Sequence, residues 1–254
     1  MKYIEELHKL KIFNKKDVVA LTKDKNAAKE ILRRYKVLGL ISQVRRDLYV
    51  ATDLANKVSL VNKYEIAGRL TPSAYLSYHA ALEYHGLAHQ FFYELYVSSK
   101  KKFKSFYYEG ITYSFYQSKT HVGVVNPATD PLVRLTDIER TIIDCIDRID
   151  LSGGVEELIE CFAIITYVNE EKLLDYLSHF NKQFLYQKTG YILGYFQKEM
   201  KLSDTFFELC KSKIGKSTRY LTDKQGSDIY FNEWKLCAPR DILSFLEQGG
   251  NEYV

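Results

Sequence analysis

Apolar positions recur at helical spacing in three short runs near the start of the chain. Ile4, Leu7 and Leu10 step by three, the stripe of a short helix over about residues 2–10. Asn14 stands where it can cap a second helix, 15–22, whose Val18, Val19 and Leu21 are available to a core. The polar stretch KDKN interrupts the pattern, and a third helix starts after Asp24 or Asn26. Its inner face carries Ala27, Ala28, Ile31, Leu32 and Tyr35, and its opposite face Asn26, Lys29, Arg33 and Lys36. Gly39 ends it. The period then changes to two through LISQVRRDLYVAT, predicting strands at about 40–44 and 48–51 joined by a tight turn at Arg45 to Asp47.

Farther along, residues 53–70 read as a connector and a helix. Pro72 and Ser73 open PSAYLSYHAALEYHGL, where Ala74, Leu76, Ala80, Ala81 and Leu82 suit a packed helix that stops at Gly86. Residues 91–118 are rich in aromatic and β-branched side chains broken by Lys and Gly clusters, the pattern of an antiparallel sheet. In LTDIERTIIDCIDRIDLSGG, residues 135–154, Thr136 and Glu139 have capping-box spacing. Ile138, Ile142, Cys145 and Ile146 supply an inner helix face, and Arg140, Asp144 and Arg148 recur every four residues as a charge ladder. Beyond residue 155 helical periods dominate, before short strands near SDIYFNEWKLCAP. The expected fold class is α+β: a winged helix-turn-helix over 1–55, a linker near 52–72, and a larger mixed domain over 56–254 with an antiparallel sheet and a helical C-terminal part.

With 254 residues, 46% of them hydrophobic, the chain can bury a sizeable core. No run of about eighteen apolar residues occurs, and the opening MKYIEELHKLKIFNKKD lacks the apolar centre of a signal peptide, so a soluble, cytoplasmic protein is expected. Cys145, Cys161, Cys210 and Cys237 are widely spaced among apolar residues and read as core thiols. Charge changes the picture most. Residues 1–50 hold 13 of the 36 Lys and Arg but 6 of the 32 Asp and Glu, an excess of seven positive charges; the remainder has 23 against 26, an excess of three negative ones. A cationic beginning on a mildly acidic body points to a polyanionic partner for the first segment.

Three helices followed by a basic hairpin match the winged layout, in which the third helix enters the major groove and the hairpin lies on the backbone. Lys15, Lys16, Lys25, Arg34, Arg45 and Arg46 are then phosphate candidates. Asn26, Lys29 and Arg33 are placed for base edges, with Lys36 beside them. Lys100, Lys101, Lys102 and Lys104, and Lys211, Lys213, Lys216 and Arg219, form possible accessory basic patches, although solvated loops and helix ends have the same composition. Other chemistry is weaker. Gly86 separates His85 from His89, and His79, His85 and His89 have no carboxylate or thiol at ligand spacing, which argues against a metal site. Gly215, Lys216, Ser217 and Thr218 imitate the end of a phosphate-binding loop, but Cys210 stands where its first glycine belongs. No nucleophile, base and orienter occur as a set, so neither an enzyme nor a cofactor is expected. Two alternatives remain open: a metal-dependent nucleic-acid enzyme using Asp137, Glu139, Asp144 and Asp147, and a winged-helix adaptor for protein partners.

Nearly the whole chain also resembles the AbiEi family of antitoxins and transcriptional regulators, on AYLSYHAALEYHGL at 74–87, LTDIERTIIDCIDRIDLSGG at 135–154 and LYQKTGYILGYF at 185–196. Ile149 departs from the proline that the resemblance leads one to expect. The resemblance implies a bifunctional protein of a type IV toxin-antitoxin system linked to abortive phage infection. Its winged domain would bind inverted repeats in its own promoter and repress the operon. Its larger domain would counter an AbiEii-like nucleotidyltransferase toxin without forming a stable complex.

Overall fold

A computed structural model describes residues 2–118, 120–221, 228–244 and 246. The first half of the chain runs α1 (Ile4–Leu10), β1 (Ile12–Phe13), α2 (Lys15–Thr22), α3 (Lys25–Val37), β2 (Ile41–Arg45), β3 (Leu48–Ala51), α4 (Lys63–Gly68), β4 (Tyr75–Leu76), α5 (His79–Tyr84), β5 (Glu94–Ser99), β6 (Phe106–Tyr108), β7 (Ile111–Gln117) and β8 (Val124–Val125). The second half runs β9 (Leu135–Thr136), α6 (Ile138–Asp147), a single 3₁₀ turn (Ile149–Leu151), α7 (Val155–Ala163), α8 (Glu170–Phe180), α9 (Gln183–Gly194), α10 (Asp204–Ser212), β10 (Arg219–Tyr220), β11 (Ile229–Phe231) and β12 (Leu236–Ala238). The fold is α+β, and its sheets contain both antiparallel and parallel pairs. No helix among the described residues is long and apolar enough to cross a membrane.

Two compact units form. The first takes Met1–Tyr75, Val97–Gln117 and Asn126–Arg134, and residues 1–55 fall wholly inside it. The second takes Leu76–Tyr96, Ser118–Val125 and Leu135–Val254.

In the first unit, the Asn14 side chain accepts the Lys16 and Asp17 amides while Asp17 accepts the Asn14 amide, a reciprocal cap that starts α2 where expected. Asp24 caps α3 by accepting from the Ala27 amide. Ala28, Leu32 and Tyr35 point into a core with Leu7, Phe13, Val18, Leu40, Ile41 and Ala51. Ala27, expected inside, is exposed, because a helix of this width buries only part of its circumference. Gly39, at φ 62°, turns the chain from α3 into β2. The hairpin forms two strands of a three-stranded antiparallel sheet, β1-β3-β2, with β3 central: Val50 lies opposite both Ile12 and Ser42. A register shift between Gln43 and Arg45 makes Arg45 the last paired residue, opposite Leu48. Arg45 was expected in the turn; the turn is Arg46 and Asp47, with Asp47 at φ 62°.

The rest of this unit includes the antiparallel hairpin β6–β7, Phe106 opposite Tyr113, and a tight approach of two loops. A Cβ on Gly68 would lie 2.4 Å from the Leu132 carbonyl oxygen, so glycine is what lets residues 68 and 132 meet. Arg134 closes that corner, donating to the carbonyls of Pro72 at 2.6 Å and of Gly68 and Thr71 at 3.2 Å.

The second unit is mostly helical. Its core joins Ile142, Ile143, Cys145 and Ile146 of α6 to Leu158 and Phe162 of α7, Leu177 of α8 and Ile192 of α9. The single helix expected through residues 73–86 is a two-residue strand and the six-residue α5. Leu76 pairs in parallel with Leu135, and Tyr78 at φ 56° breaks the path, so sheet pairing overrides helical propensity. The cap of α6 is Asp137, accepting from the Arg140 amide, rather than Thr136, whose hydroxyl is spent on Thr141 in the interior. The Arg140, Asp144, Arg148 ladder stops after its first rung, because Arg148 lies past the helix end and pairs with Asp150 at 2.5 Å. Cys145, Cys161 and Cys210 are buried free thiols, and Cys237 is a half-buried one.

Candidate nucleic-acid interface

The exposed face of α3 carries Asn26, Lys29, Arg33 and Lys36 in one stripe, all outside the core. Lys36 Nζ donates to Gln43 Oε1 at 2.9 Å and ties the end of the stripe to β2. Arg33 pairs with Glu30 at 2.6 Å, an exposed contact that raises the Arg33 pKa and lowers that of Glu30. Lys29, Arg33 and Lys36, with Lys15 of α2 and Tyr49 of β3, line a groove of about 250 Å³ between helix and hairpin. Tyr49 is held there by stacking on Phe13, with ring centroids 6.2 Å apart. The Lys15 amide donates to Asp47 at 2.9 Å, fastening the start of α2 to the hairpin turn.

Lys25 is exposed at the first turn of α3. Arg34 is exposed too, but one position beyond Arg33 turns it about 100° round the helix, where it lies over the Tyr35 ring and away from the stripe. Arg45 does not project from the hairpin tip. It is half-buried, donates to the Leu70 carbonyl, and lies over the rings of Phe103 and Phe106 at 5.5 and 5.8 Å. Burial holds its pKa below the usual arginine range, with Asp47 opposing, and its buried Nε has no hydrogen-bond partner among the described residues. Arg46 is exposed.

Beyond the turn, Lys16, Arg45 and Arg46 meet Arg69, Lys101 and Arg134 around a polar cleft of about 840 Å³ in the same unit. Sequence reading missed Arg69 and Arg134. Each is a single arginine in an apolar stretch, and nothing local distinguishes them. Of the accessory lysines, Lys100, Lys101, Lys102 and Lys104 are exposed in the loop between β5 and β6, and Lys101 reaches the cleft. Lys211, in the other unit, is committed to Glu233 at 2.5 Å and Glu208 at 3.0 Å; Lys213, Lys216 and Arg219 are exposed.

The residues weighed for metal chemistry have other tasks. Asp137 caps α6 and accepts from Tyr176 at 2.7 Å and Lys172 at 3.1 Å. Glu139 accepts the Asn169 amide, and Asp147 pairs with Lys182 at 2.5 Å. Asp144 is buried against Arg140 at 2.9 Å; burial pushes its carboxyl up to about 6 against the pull of that arginine. His79 is buried beside Glu157 at 3.1 Å, His85 contacts the Thr136 carbonyl, and His89 is exposed. Among the described residues no three His, Cys, Asp or Glu side chains gather as a metal site. The Gly215 to Thr218 run leaves α10 and enters β10, and its Ser217 carbonyl accepts from Gln187.

No family model matches the chain, and no curated protein matches it. Among solved structures, it is similar to the crystal structure of the RV2827C protein from Mycobacterium tuberculosis, at 12% identity and a TM-score of 0.69, over 98% of this chain and 94% of that one. At that identity the likeness is one of fold.

Proposed function

We propose that this protein is a DNA-binding transcriptional regulator in which residues 2–52 act as a winged helix-turn-helix: α3 reads the major groove and the β2–β3 hairpin lies along the backbone. The observation that carries this reading is the stripe of Asn26, Lys29, Arg33 and Lys36, exposed on one face of a capped helix and bordered by the hairpin. Asn matches adenine and Arg matches guanine in the major groove, and Lys15, Lys16, Lys25 and Arg46 surround them with exposed positive charge. In the fuller form suggested by the AbiEi resemblance, the protein represses its own operon through inverted repeats and acts in the cytoplasm as the antitoxin to a nucleotidyltransferase-like toxin. It does so as a binding protein without catalytic activity of its own. The stretches carrying that resemblance lie mainly in the core of the second unit, at β4–α5, β9–α6 and α9, so they speak for its scaffold.

The test is binding of the full protein to its own upstream DNA and to a scrambled duplex across a salt series. Preference for the upstream sequence, with affinity falling steeply as salt rises, supports the repressor reading. Equal, salt-insensitive binding to both, or none, overturns it. Rescue of growth on coexpression with the product of the neighbouring gene tests the antitoxin half separately.

A further inference from the structure

We propose that the cleft between the hairpin turn, Arg69 and the Lys101 loop holds a stretch of nucleic-acid sugar-phosphate backbone, with Arg69 and Lys101 as phosphate contacts contributed from outside the amino-terminal fifty-two residues. The proposal rests on the reading of α3 and its hairpin as DNA-binding elements, and extends their footprint within the same compact unit.

Positive charge outnumbers negative in this cleft, six side chains against the two carboxylates Asp17 and Asp47. Lys16, Arg46, Arg69 and Lys101 are exposed, and their side chains make no hydrogen bond or ion pair among the described residues. The two carboxylates on its wall, Asp17 and Asp47, each accept a backbone amide, at 2.7 and 2.9 Å, and keep their negative charge. Arg45 and Arg134 add fixed positive charge, since each guanidinium is held by backbone carbonyls rather than by an acid. Burial, and then neighbouring Arg69, keeps the Arg134 pKa below the usual range, so the two guanidinium groups oppose one another here. Such a gathering is costly for the free protein and is relieved by an anion.

The lining also selects the kind of anion. The one aromatic ring lining the cleft, Phe13, is 2% exposed, so no aromatic platform is open to a nucleobase there. The first amides of α2 are taken by Asn14 and Asp47, so no free amide cradle awaits a terminal phosphate. What remains is a set of long cationic side chains, which suits a repeating phosphodiester. Lys15 lines the groove beside α3 and Lys16 lines this cleft, so the first turn of α2 borders both.

The experiment compares the full protein with R69Q/K101Q, and with K213Q/K216Q as a charge-matched control, on upstream and scrambled duplexes across a salt series. Arg69 and Lys101 are exposed and unpaired, so thermal unfolding is expected to be unchanged and serves as the folding check. The expected result is that R69Q/K101Q loses about tenfold in affinity for both duplexes alike, with a salt slope shallower by about 1.8, at about 0.9 per phosphate contact. The control keeps the wild-type slope. Wild-type slope and affinity in R69Q/K101Q overturn the cleft and leave the α3 reading standing. An equal loss in the control shows a general charge effect and also overturns the cleft. Failure of the wild-type protein to bind any duplex removes both readings together.

Discussion

Two helices of this protein carry the same chemical pair at helical spacing and use it in opposite ways. On α3, Arg33 and Glu30 are 67% and 60% exposed; on α6, Arg140 and Asp144 are 5% and 4% exposed. Water screens the first pair, so it contributes little to folding and its arginine can be exchanged to a new partner at small cost. The second pair is desolvated, and Arg140 further donates to the Val122 carbonyl and lies over the Phe180 ring at 4.9 Å. Removing either partner alone leaves the other buried without its opposite charge. Burial, rather than the identity of the residues, decides whether an arginine on a helix is available to a partner or is part of the scaffold.

The strongest way to break this contrast is Asp144→Ala, which takes the carboxylate from the buried Arg140 and is expected to cost about 3–5 kcal/mol in chemical denaturation. A loss below about 1 kcal/mol would show that the buried pair is no scaffold element. Next in size is Lys29→Ala with Arg33→Ala, expected to reduce preference for the upstream duplex by roughly ten- to a hundredfold while leaving the unfolding midpoint unchanged. A destabilised but fully discriminating variant would reverse the roles given to the two helices.

A smaller effect concerns pH and Glu157, which is buried. Burial acts to raise its pKa, but hydrogen bonds from His79, the Gln90 amide and the Cys161 thiol prevail and hold it below the usual glutamate range. A carboxyl depressed on folding adds stability above its unfolded pKa, near 4.5, and loses it as pH falls through the lower folded value. Glu157→Gln is therefore expected to flatten the acid limb of the stability profile. Asp144 works in the opposite sense, since its raised folded value means stability is lost as pH rises from about 4 to about 6. The smallest expected effect is Lys211→Ala, which should change duplex affinity less than about twofold, because its ammonium is committed to Glu208 and Glu233.

Periodicity alone located α2, α3 and the basic hairpin, and with them Asn26, Lys29, Arg33 and Lys36 on one face. These features are local: a cap, a 3.6-residue period and an alternation lie within a few residues of one another, so neighbouring side chains carry the whole signal. The same reasoning misplaced the cap of α6 by one residue and the partner of Arg148, where two acceptors compete within a single turn. Tyr75 and Leu76 read as helix, because their strand depends on sheet partners distant in sequence, one of them Leu135.

Only the tertiary structure decided which cations are gathered and which are spent. Arg45 looked like a surface charge at a hairpin tip, yet a one-residue register shift and the Leu70 carbonyl draw it inward. Arg69 and Lys101 come from segments far apart in sequence and face one cleft because Gly68 allows the Leu132 loop to approach and Arg134 pins it there. Charge along a chain is countable from sequence, but whether a charge is solvated, paired or held against another is set by long-range packing, which leaves no local periodicity to read.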